Sequence, residues 1–142
     1  MFSYSDSTVV TPSGQIVRLA YPVQQLLEDV DVAYVVLDTP PAMQFHDNVV
    51  CISQDGRLLW TIENKLHGSG DTYGEGRIRL DGKLEFWNSD SVWLWVDKGT
   101  GNLIAARVER FGPYAEKDGD WDRNVHFYRP FNDGSAPPLR NQ

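Results

Sequence analysis

Short apolar runs alternate along the chain with polar segments holding glycine, proline or aspartate, a pattern that predicts strands joined by tight turns. The clearest unit is residues 48–60, N-V-V-C-I-S-Q-D-G-R-L-L-W. There Val49-Val50-Cys51-Ile52 meets Asp55-Gly56 and is answered by Leu58-Leu59-Trp60. Asp-Gly between apolar runs predicts a hairpin, because its turn needs residues that tolerate positive φ. The first strand is apolar at both parities, so both of its faces should be covered. The second places Leu58, Trp60 and Ile62 on one side and Arg57 and Thr61 on the other, with Leu59 off the pattern. A central hairpin is the expectation.

Upstream, residues 8–11 and 15–20 form a hairpin around Pro12-Ser13-Gly14. Pro22 then opens the one helical piece, with Val23, Leu26 and Leu27 at i, i+3 and i+4 and Glu28-Asp29 at its end. At about two turns it needs packing to stand. Residues 32–37, V-A-Y-V-V-L, read as a central strand ended by Asp38-Thr39-Pro40-Pro41. Downstream, the glycine-rich 64–76 reads as a mobile loop, and Asp81-Gly82 joins residues 77–80 to 83–88 as a second hairpin. In residues 91–97, Trp93 and Trp95 alternate with Val92, Leu94 and Val96 before Lys98-Gly99-Thr100-Gly101 turns the chain into 102–111. After Gly112-Pro113 come an acidic loop, a strand near 124–129 and an end expected to fray.

Residues 48–60 and 91–105 share one scheme: an apolar strand, an aspartate-containing glycine turn and a strand opening on two aliphatics. Their spacing of about 43 residues falls among propeller blades of about 40–50. A closed propeller takes about four blades at least, and this chain has length for about three. The prediction is an all-β fold of antiparallel blade-like meanders, a partial propeller or a sandwich, with one short helix. Its open edge would be covered by the helix or by another subunit. We expect one β domain over 1–142, of which 112–142 is a polar carboxyl-terminal extension.

The composition, 41% hydrophobic and 12% aromatic over 142 residues, suits one globular domain with a true core. Twenty acidic against 13 basic residues give −7, which disfavours binding a nucleic-acid backbone and favours a basic partner. The excess is uneven, since residues 1–106 carry 14 acids and 7 bases and residues 107–142 carry 6 of each. The single Cys51 cannot form an intrachain disulfide, and in an apolar strand it reads as a buried thiol. Neither a basic-then-apolar leader nor a spanning apolar stretch is present, so a soluble cytoplasmic protein with no membrane association is expected.

These residues resemble a family of small bacterial proteins. The resemblance lies in Tyr21-Pro22, Leu37-Asp38-Thr39-Pro40-Pro41, Asn48-Val49, Asp55-Gly56-Arg57-Leu58-Leu59-Trp60 and Asp97-Lys98-Gly99-Thr100-Gly101, and covers roughly residues 15–108. The last two pieces also look like the blade repeats of quinoprotein-type propellers. Trp93, Trp95 and the tail after Phe111 depart from the pattern. The resemblance implies an immunity protein encoded beside a polymorphic toxin.

His46, His67 and His126 share no spacing, and His46 stands roughly 15 Å along an extended chain from Cys51. Asp118, Asp120 and Asp122 begin like a calcium loop, but Arg123 and Arg129 stand where the glycine and the bidentate glutamate belong. No metal, cofactor or catalytic residue is therefore assigned. Carboxylates around an aromatic anchor suit a basic partner surface, so Glu116, Asp118, Asp120, Trp121 and Asp122, with Tyr73 and Glu75 of the glycine-rich loop, are the candidate partner-binding residues. Trp87, Trp93 and Trp95 are either core or a stacking platform, and alternation with Leu94 and Val96 favours core. The expected function is a non-enzymatic immunity protein that neutralises a cognate toxin domain with a basic active-site surface. The alternative is a propeller-like module for a carbohydrate or peptide, which an exposed Trp93 or Trp95 beside a groove would favour.

Overall fold

The computed structural model describes residues 1–42, 46–63, 72–88, 92–108 and 129–130. Strands β1 (Ser3–Ser5), β2 (Thr8–Val10) and β3 (Ile16–Arg18) form a first sheet. The second holds β4 (Val23–Asp29), β5 (Val32–Leu37), β6 (Val49–Ser53) and β7 (Leu58–Thr61). The third holds β8 (Tyr73–Ile78), β9 (Leu84–Asn88), β10 (Val92–Val96), β11 (Leu103–Val108) and β12 (Arg129–Pro130). Every pairing is antiparallel, and within the first two sheets and from β8 to β11 spatial order follows chain order. β12 adds to the outer edge of β11. The fold is all-β, built of blade-like meanders.

The second sheet is the middle layer, and strand periodicity explains how. In β5, Ala33, Val35 and Leu37 face a cluster shared with Phe2 and Val9, while Tyr34 and Val36 face the cluster holding Leu84, Phe86 and Leu94. β6 divides likewise, with Val50 and Ile52 toward the first sheet and Val49 and Cys51 toward the third. A strand apolar at both parities is thus one packed between two other sheets.

The predicted helix after Pro22 is overturned: residues 23–29 are β4. Proline's φ near −65° also suits extended chain, and two turns of helix would have had little stability of their own. Pairing with β5 covers the edge of a strand that is nearly inaccessible to solvent. Leu26 and Leu27, adjacent in a helical stripe, instead point to opposite cores.

The hairpins at Asp55-Gly56 and Asp81-Gly82 form as predicted, with Gly56 at φ 88° and Gly82 at φ 91°. Only the first strand of the 48–60 hairpin is central, since β7 lies at the sheet's edge. Cys51 pairs with Trp60 and Ile52 with Leu58, leaving Leu59 as the extra residue of a bulge. The bulge accounts for the broken alternation, and Leu58 and Leu59 are both exposed. The segment predicted as a loop over 64–76 becomes β8 from Tyr73 onward; residues 64–71 lie outside the described residues.

Candidate functional site

The turns between β8 and β9 and between β10 and β11 lie at the same end of the third sheet. They flank an open groove of about 430 Å³, lined by Asp81, Lys83, Trp95, Asp97, Lys98 and Ile104 and by Leu84 and Val96, whose side chains are turned into the core. Trp95 reaches it from the face opposite the core, where the register aligns Arg77, Glu85 and Trp95 across three strands. Ile104 is the extra residue of a second bulge, because Trp95 pairs with Ala105 and Val96 with Leu103.

The rim is charged and anchored. Lys83 Nζ lies 2.7 Å from Asp81 Oδ2 and 4.9 Å from the centre of the Trp95 ring. Burial raises the Asp81 carboxyl, but the ammonium and backbone N–H of Lys83 outweigh it and hold the group below its usual 3.8. Asp97 Oδ1 accepts the Gly99 N–H at 2.8 Å, and its carbonyl accepts the Gly101 N–H at 2.8 Å, which closes the opposite turn. Lys98 is tied to the middle sheet twice: its Nζ is 3.0 Å from Asp29 Oδ2, and its carbonyl accepts the Trp60 indole N–H at 2.8 Å. Tyr34 donates to Asp29 at 2.9 Å and stacks on Trp60 with centroids 5.9 Å apart. Burial raises the Asp29 carboxyl too, yet the Val30 N–H, Lys98 and Tyr34 together hold it below 3.8. An aromatic face, the aliphatic Ile104 and ionised groups fixed at the rim can hold an amphipathic ligand.

The predicted partner-binding residues fare unevenly. Tyr73 is 1% exposed, its hydroxyl donates to the Glu63 carbonyl at 2.9 Å and its N–H to Asn48 Oδ1 at 3.0 Å. It belongs to the core between the second and third sheets, and its assignment to partner contact is corrected. Glu75 is exposed on β8. Glu116, Asp118, Asp120, Trp121 and Asp122 lie outside the described residues, as do His67 and His126.

Cys51 is buried, and burial, then the Asp29 charge, push its thiol up to about 12. A neutral thiol is a poor nucleophile. His46 is buried with its Nδ1 2.6 Å from Thr39 Oγ1. Among the described residues no three His, Cys, Asp or Glu converge on a metal-sized site.

The tryptophans divide. Trp93 is buried against the Arg77 guanidinium, 5.0 Å from the ring centre, and meets Trp87 edge-on at 5.5 Å. Trp95, half-buried, is the one that lines the groove. Neither joins the cluster of Leu94 and Val96, so alternation placed both on the opposite face. That face is covered at its centre, where Glu85 is fully buried and its charge is met by Arg77 at 3.0 Å and Arg79 at 3.3 Å. The groove was missed because its two turns, each visible in the sequence, meet only through the order of strands in the sheet.

The chain belongs to the family described as Domain of unknown function (DUF7957), whose model matches residues 1–108. No curated protein matches it. Among solved structures it is similar to BamB from Moraxella catarrhalis, a β-propeller, with a TM-score of 0.51 and 12% identity. The match covers 81% of this chain but 34% of that one, so the chain spans about a third of the propeller's length. At this identity the likeness is one of fold.

Proposed function

We propose that this chain, a member of the DUF7957 family, is a non-enzymatic binding module that takes a carbohydrate or peptide in the groove between the Asp81 and Asp97 turns. The observation that carries this reading is Trp95, half-buried in a groove it shares with Ile104 and ringed by anchored charges. Aromatic faces with a polar rim are where binding energy concentrates. The test is a screen of labelled protein against immobilised glycans and peptides, repeated with Trp95→Ala. A hit should weaken roughly thirtyfold in the variant, the size of a hot-spot truncation. Equal retention of the same ligands by both proteins would sink the reading.

The charge balance favours a second reading, an immunity protein acting in the cytoplasm on a basic toxin domain. The support is the net −7, all of it contributed by residues 1–106. Co-purification with a toxin domain encoded beside it, weakening as salt rises, is the expected result. Failure of that pair to associate at micromolar concentration removes this reading and leaves the groove untouched.

A further inference from the structure

Resting on the groove reading above, we infer that the ligand is an uncharged sugar and not a peptide, its C–H face laid on Trp95 and its hydroxyls bonded to the side chains of Asp81, Lys83, Asp97 and Lys98.

The two turns that flank the groove use their main-chain donors internally. In the first, the Gly82 N–H donates to the Arg79 carbonyl at 2.8 Å and the Lys83 N–H to Asp81 Oδ1 at 3.1 Å. In the second, the Gly99 N–H donates to Asp97 Oδ1 at 2.8 Å, and the N–H groups of Thr100 and Gly101 donate to the Asp97 carbonyl at 3.3 and 2.8 Å. A peptide laid along a protein is held chiefly by a row of main-chain bonds, and these turns offer no such row among the described residues. Side-chain tips carry the polarity of the rim instead. An ammonium has three donors and a carboxylate about four acceptor sites, so Lys83 and Lys98 keep donors, and Asp81 and Asp97 keep acceptors, beyond the bonds they already make. A hydroxyl donates and accepts at one atom and so bonds either kind of tip, and its bonds to charged partners are the stronger sort.

Charge and shape agree with this. The described lining carries two lysines and two aspartates, so its formal charges cancel. Lys83 is paired with Asp81 and Lys98 with Asp29, and a rim balanced in this way steers neither a cation nor an anion. A sugar ring has weakly positive C–H groups on its flat face and hydroxyls around its edge. The groove is the complement, with the negative π face of Trp95 beside Ile104 and charged tips around them. Lys83 Nζ stands 4.9 Å from the centre of the Trp95 ring, where the sugar would lie; its flexible four-carbon stem lets it move to the edge of the sugar and bond a hydroxyl there.

The experiment uses the full chain with neutral disaccharides of glucose, galactose, mannose and N-acetylglucosamine, disaccharides containing glucuronic acid or glucosamine, and a set of pentapeptides. Saturation-transfer NMR should show a neutral disaccharide contacting the protein through its ring C–H protons, and the Trp95 indole N–H signal should shift as it is added, a readout that needs no variant. Its affinity should change less than about twofold between about 0.05 and 0.5 M salt. Trp95→Ala should weaken it at least about tenfold. A pentapeptide that binds while every disaccharide fails overturns the sugar assignment and leaves the groove reading standing. A charged disaccharide that binds at least about tenfold more tightly than its neutral counterpart does the same to the claim of an uncharged ligand. Disaccharide binding that leaves the Trp95 signal unmoved and survives Trp95→Ala overturns both readings, as does a failure of every probe to bind.

Discussion

Gln25 on β4 clasps the third sheet to the second. Its Nε2 donates to the Gly76 carbonyl at 2.9 Å and its Oε1 accepts the Gly76 N–H at 2.7 Å, so one side-chain amide satisfies both backbone groups of a residue on β8. The register of β8 with β9 slips between Tyr73 and Gly76, and the clasp holds the residue at which pairing resumes, Gly76 opposite Phe86. Gln25→Ala removes both bonds. At about 1 kcal/mol each, with an added penalty for leaving Gly76 partly desolvated, the loss is about 2–3 kcal/mol. For a domain of this size that is a fall in Tm of roughly 6–12 °C. The control is Gln24→Ala, an exposed neighbour on the same strand, expected to change stability by less than about 0.5 kcal/mol. Both variants would be followed by circular dichroism through thermal and guanidinium unfolding. A single transition with an unchanged slope and a lowered midpoint is expected, because the sheets share one core cluster. If the two variants unfold at the same temperature, the clasp contributes nothing and the reasoning fails.

Gly101 and Gly82 both adopt positive φ, at 78° and 91°, but a Cβ on Gly101 would run into the Trp60 ring and come within 3.0 Å of the Thr61 carbonyl, whereas one on Gly82 meets open space. Gly82→Ala should cost about 1–2 kcal/mol of backbone strain, and Gly101→Ala distinctly more. Urea midpoints for the two variants that coincide would show that the turn yields against Trp60. Cys51 should resist a thiol reagent at pH 8 in the native protein and react at once in guanidinium. Its thiol is raised from 9.0 to about 12 in the fold, and burial, then Asp29, raise the Tyr34 hydroxyl as well. A folded-state value above the unfolded one means stabilisation that is complete below the unfolded value and drains away as pH climbs. Guanidinium midpoints should therefore fall from about pH 9 toward pH 12, and a flat profile to pH 11 would contradict this assignment.

Most of the strands and their turns are legible in the amino-acid order alone, β4 and the first half of β8 being exceptions. Asp55-Gly56 and Asp81-Gly82 are local chemistry, and the two-sided apolar strands 32–37 and 49–53 announced a sheet buried between others before any partner was known. The blade-like repeat was visible for the same reason, being a recurrence of local signals. Tertiary structure decided what depends on a neighbour. Pro22, Leu26 and Leu27 suit a short helix in isolation, yet the unpaired edge of β5 claimed them as a strand. Tyr73, apparently the tip of a polar loop, fills the space between two sheets because Asn48 and Glu63, distant along the chain, hold its backbone and hydroxyl. Trp93 and Trp95 share a face by alternation, but only the register beside Glu85 and the position of the two turns made one buried and the other a groove wall. Local pattern sets which bonds the backbone can make with its near neighbours, while burial is a property of whichever distant surface arrives to cover a residue.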